Sequence, residues 1–203
     1  MKTKIKNIIL IVLIIIFCIS LSPITMQNDT YYTIAIGEYI LENGIDMKDP
    51  FSWHEDLPYT YPHWGYDVAT YLIYSVGQNI IGETGGYIAI YISTIILASI
   101  LGILLFRINK KIGKNTIISF IITLIAIYSI RDYIAARAQL VTFILFIFEI
   151  YCIETFLEKP RKRYIIGLIL IPILIANLHV AVWWFYFILY IPYIAEYIIA
   201  KIL

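Results

Sequence analysis

Residues 86–106 read GYIAIYISTIILASILGILLF. No charged side chain interrupts the run, and 21 residues at about 1.5 Å each cover the ~30 Å hydrocarbon core of a bilayer. It ends at Arg107, with Lys110, Lys111 and Lys114 just behind. An uncharged run of this length, closed by a basic cluster, reads as a membrane-spanning helix.

Further apolar runs fall at 5–25, 115–133, 138–157, 164–177 and 179–200. Whole-chain composition agrees: 61% of the residues are hydrophobic, 14% are charged, and mean hydropathy is +0.84. The expected fold class is therefore all-α, a polytopic transmembrane bundle of about six spans. It forms one transmembrane domain over 1–203, with a polar outer loop over 26–85 that carries interfacial helices.

Charge sets the orientation. Lys2, Lys4, Lys6, the 107–114 cluster, the 159–163 cluster and Lys201 put twelve basic residues on one side, against Lys48, Arg131 and Arg137 on the other. Basic residues collect on the cytoplasmic side, so both termini are expected there, in a multi-pass cell-membrane protein. Lys2 to Ile19 also has the layout of a signal peptide. Pro23, just past the small pair Ser20 and Ser22, argues against cleavage and for an anchor. The 14-residue run Tyr164–Asn177 is short for a span, and is expected to thin the bilayer or to continue through His179 as a broken helix.

At a net charge of +1 nothing points to a polyanion-binding surface, and no nucleic-acid partner is expected. Cys18 and Cys152 both lie in apolar runs, so neither a disulfide nor a metal site is expected. No cofactor is implied.

The outer loop holds most of the reactive side chains. A first helix is expected with Asn28 or Asp29 as its N-cap and Gly44 just past its end. Turns follow from Asp46 to Pro58, then a second helix from Pro62 to Gln78. Trp64, Tyr66, Tyr71 and Tyr74 on that helix suit a headgroup boundary. Asp29 reads as a cap or as a base for a hydroxyl acceptor. Arg131 and Arg137 read as phosphate ligands or as arginines reaching for headgroups. His63 and His179 lack metal spacing. His54 reads as a solvated loop residue, and Glu149 as an ionisable group placed mid-span, a functional hint.

The order Asp29, Gly37-Glu38-Tyr39-Ile40-Leu41-Glu42-Asn43-Gly44, Asp49-Pro50-Phe51-Ser52 and Trp64 resembles the first outer loop of bacterial GT-C-type membrane glycosyltransferases, which are protein mannosyltransferase-like. Arg137-Ala138-Gln139 resembles an Arg-Pro-Gln motif of that family, and Asn177-Leu178-His179 an Asn-Leu-His-Gly motif. Ala138 and Val180 depart from those motifs, and family members are about twice as long or more. The resemblance implies sugar transfer from a polyprenyl-phosphate carrier at the outer face. It makes Asp29 the catalytic base, with Arg137, Arg131, His63, Trp64 and His179 binding substrate. The partners implied are the polyprenyl-phosphate-linked sugar and membrane lipids. Two other classes fit the same composition: a lipid- or partner-binding module that works with a second membrane polypeptide, and a small transporter subunit.

Overall fold

The computed structural model describes residues 2–202, and among these the chain is all-helical, with no named strand. Helix α1 covers Lys2–Leu21, α2 Asn28–Asn43, α3 Trp64–Ile81, α4 Glu83–Gly113 and α5 Thr116–Ser129. Then come α6 (Ala138–Glu158), α7 (Lys162–Leu178), the short α8 (Trp184–Ile188) and α9 (Ile191–Ile202). Four segments are long and apolar enough to cross a membrane: 4–21, 83–113, 138–158 and 180–202.

α4 is the axis of the bundle, packing against α1, α3, α5 and α6. Leu10, Ile14 and Cys18 of α1 bury against Ala98 and Phe106 of α4 and Ile127 of α5. The Cys18 thiol donates to the Ala98 carbonyl at 3.3 Å, and Lys110 Nζ donates to Asn7 Oδ1 at 3.0 Å. These two contacts fix α1 antiparallel to α4. α5 starts on an Asn115 cap, whose side chain accepts from the N–H groups of Ile117 and Ile118.

Two close approaches place α3. A Cβ on Gly77 would lie 2.1 Å from the Gly85 carbonyl oxygen, and one on Gly85 would lie 2.2 Å from that of Gly77. Only a glycine pair lets α3 and α4 meet backbone to backbone. On the other side of α3, a Cβ on Gly37 would lie 2.2 Å from the Asp67 carbonyl oxygen, so α2 presses on α3 just where Asp67 stands. The 44–63 loop is held by Tyr61, which is buried and donates its hydroxyl to Asp46 Oδ1 at 2.9 Å and to the Lys48 carbonyl at 2.7 Å.

Several boundaries differ from the sequence expectation. The first run stops being helical after Leu21, not residue 25, and the third after Ser129, with a 3-10 turn at Arg131–Tyr133. The second loop helix starts at Trp64 and runs to Ile81. Neither Asn28 nor Asp29 caps α2. Gln27 holds that position without a side-chain bond, and Asp29 stands inside the first turn. The run 179–200 is not one helix: a 3-10 turn at Val180–Val182, α8 and α9 follow one another.

Pro172 accounts for part of that break. Inside α7 it has no N–H for the carbonyl four residues back, Leu168. The Tyr186 hydroxyl fills the gap, donating to the Leu168 carbonyl at 2.6 Å, and Trp183 Nε1 donates to the Pro172 carbonyl at 3.1 Å. In an apolar medium a freed carbonyl needs such a partner. The chain after His179 therefore folds back onto α7.

Candidate active site

Three tethers bring distant segments together. The Thr30 hydroxyl donates to the Ala136 carbonyl at 3.2 Å, which sets the first turn of α2 beside the chain leading into α6. The Val180 N–H donates to the Pro62 carbonyl at 3.1 Å, which sets the end of α7 beside the start of α3. The Thr142 hydroxyl meets His179 Nδ1 at 3.0 Å, which ties α6 to the same place. A cleft of about 290 Å³ opens between them, lined by Asp29, Tyr32, Thr33, His63, Tyr66, Arg137, Ala138, Gln139 and His179.

Asp29 and Arg137 form an ion pair across this cleft. The Asp29 side chain is 60% exposed and that of Arg137 33%, so the pair sits at the mouth, within reach of an entering ligand. An ion pair so exposed contributes at most about 1 kcal/mol to folding. A phosphate arriving there would compete for the guanidinium, whose forked donors suit either anion.

Deeper in, His63 faces Asp67. Nδ1 of His63 lies 2.8 Å from each carboxylate oxygen, and Asp67 is fully buried. Burial pushes the Asp67 carboxyl above its ordinary value, while His63 and, more weakly, Thr33 pull it back. Asp67 also stands in the first turn of α3, at the positive end of the helix dipole, where negative charge is favoured. A buried carboxylate at this point is thus supported from several directions.

Of the residues singled out in the sequence, Asp29, Arg137, His63 and His179 share this cleft. Trp64 and Arg131 do not line it. Trp64 opens α3 and is largely exposed, next to His63 in sequence. Arg131 lines a separate depression with Ser20, Leu21, Pro23 and Gln27, lies 3.8 Å from Asp132, and stacks over Tyr128. Asp67 is the residue that sequence reading passed over. Its signal was present: a histidine and an aspartate four apart at a helix start share one face.

Among the described residues no three His, Cys, Asp or Glu side chains converge in a way that could hold a metal ion. The cleft's chemistry is that of a carboxylate, a guanidinium and two imidazoles. In comparisons with known proteins, the chain matches no family model, no curated protein and no solved structure. Its function is accordingly argued from these side chains.

Proposed function

We propose that the chain is a multi-pass cell-membrane glycosyltransferase that moves a sugar from a polyprenyl-phosphate carrier to a hydroxyl acceptor at the outer face. One observation carries this reading. Asp29, Arg137 and His179 belong to three separate stretches that each resemble the GT-C-type enzymes, and all three line a single cleft with His63. In the reading, α1, α4, α5, α6, α7 and the 180–202 segment make the six membrane crossings. α2 and α3 lie at the outer interface, with the cleft beside them.

Arg137 holds the carrier phosphate, which is the leaving group, so its positive charge stabilises the charge that develops as the sugar departs. Asp29 takes the proton of the acceptor hydroxyl. The Asp29–Arg137 pair is open to exchange: an incoming phosphate engages Arg137 and frees the carboxylate to act as base.

Asp29→Asn separates this role from a structural one. The substitution removes an exposed ion pair, so folding stability falls by less than about 1 kcal/mol. It also removes the base, so transfer from a polyprenyl-phosphate hexose by purified protein in nanodiscs falls by a factor of about 100 or more. Wild-type rates in Asp29→Asn would overturn the assignment.

A further inference from the structure

Asp67 has no part in the mechanism so far, yet its hydrogen bonds decide what His63 can do. A buried carboxylate accepts, so the proton between the two belongs on Nδ1 of His63, and the Nε2 lone pair is left to the cleft. His179 reaches the same tautomer by another route. The Thr142 hydroxyl gives its hydrogen to the Ala138 carbonyl at 3.0 Å and so accepts from His179 Nδ1 at 3.0 Å. Two imidazoles that line one cleft are therefore each held through Nδ1, and they are not equivalent. Behind His63 stands a carboxylate, which stabilises the imidazolium; behind His179 stands a hydroxyl, which carries no charge to do so.

We propose that His63, positioned by Asp67, is the proton acceptor of the cleft and takes from Asp29 the proton that the acceptor hydroxyl gives up. This rests on the glycosyl-transfer reading. In the step, the acceptor O–H bond breaks and its proton passes to the Asp29 carboxylate. The oxygen's electron pair forms the new bond to the anomeric carbon, and the old bond from that carbon to the carrier phosphate breaks with its pair left on phosphate, against Arg137. Asp29 then hands the proton to Nε2 of His63, and the imidazolium releases it to water. The hand-over has a purpose: Asp29 is charged again to meet Arg137 when the carrier phosphate leaves. A proton kept on Asp29 would leave that guanidinium unpaired.

The groups that line the cleft with His63 are Asp67 and Tyr66 on α3, which His63 precedes, Asp29 and Tyr32 from α2, Arg137 and Gln139 at the start of α6, and His179 after α7. Of these, Asp67 is bonded to the ring itself.

The chain has three histidines, so histidine-selective ¹⁵N NMR in nanodiscs can read which ring nitrogen of each carries the proton. His54→Gln identifies the exposed loop signal and is the control. His63 is expected in the Nδ1–H form with Nε2 bare, and Asp67→Asn to mix the two tautomers. His63→Gln lowers turnover about 100-fold without weakening binding of the polyprenyl-phosphate hexose. If Asp67→Asn does not fold, the wild-type tautomer and His63→Gln decide, since the His63 side chain is 28% exposed and tolerates replacement. An Nε2–H form of His63, or wild-type turnover in His63→Gln, would overturn the proposal. A wild type that transfers no sugar, while His63 holds the Nδ1–H form and loses it in Asp67→Asn, keeps the dyad and removes the glycosyl-transfer reading instead.

Discussion

Asp67 and Glu149 are both fully buried carboxylates, one in the first turn of α3 and the other in the middle of α6. Asp67 is bonded through both carboxylate oxygens to His63 and stands at the positive end of a helix. Neither carboxylate oxygen of Glu149 has a hydrogen-bond partner among the described residues. It lies about one turn beyond Leu145 and Phe146, which pack against Ile171, Ile175 and Tyr186, and a mid-helix backbone has no free N–H to offer it. Burial alone therefore says little about chemistry. A carboxylate whose neighbours are arranged around its charge is part of a device, and one without such neighbours is a cost carried by the fold.

The largest expected effect tests the supported member of the pair. Asp67→Ala strands the His63 Nδ1–H and empties a fully buried position between α2 and α3, and should lower stability by about 3 kcal/mol or more in thermal unfolding in detergent. A loss below about 1 kcal/mol would erase the contrast. Next, Arg137→Ala should weaken binding of a polyprenyl-phosphate hexose by about 1.5–3 kcal/mol, roughly 10- to 150-fold, and Arg137→Lys by much less. Equal binding in both variants would make Arg137 a headgroup anchor. Glu149→Leu should act in the opposite sense to Asp67→Ala. Replacing an orphan carboxyl by an apolar side chain raises the unfolding midpoint, by about 1 kcal/mol of stability. A destabilisation as large as that of Asp67→Ala would show an unseen partner. Smallest of all, Arg131→Ala should change both stability and donor binding by less than about 0.5 kcal/mol, because Arg131 is exposed and outside the cleft.

The helical runs were legible because apolar length is a property of the chain alone. The core of 86–106 lies inside α4, and 138–157 nearly coincides with α6. The broken end was half legible. Pro172 is visible in the sequence, but its consequence depends on Tyr186 and Trp183 returning to satisfy α7, and such pairing is not a local property. The same holds for the cleft. Asp29, Arg137, His63 and His179 were identifiable by type, but not their neighbours. Asp29 was misread as a possible cap because its true partner, Arg137, lies more than a hundred residues away. Trp64 joined the site through the resemblance and Arg131 through its residue type, and neither lines the cleft.

α4 has a consequence for how the cleft is kept in register. Its contact with α1 at Ala98 lies fifteen residues from its start at Glu83, about 22 Å of helix. On that upper stretch, at Gly85, α3 is seated. α3 brings Asp67, with His63 just before it and α2 with Asp29 seated on it at Gly37, whereas Arg137 and His179 arrive at the ends of α6 and α7. The two halves of the cleft are thus indexed against each other by the number of residues in one helix. One residue added between Ala98 and Gly85 would advance α3 by about 1.5 Å and turn it by about 100°. The histidine–aspartate pair and Asp29 would then swing away from Arg137 and His179, with every side chain of the cleft still present.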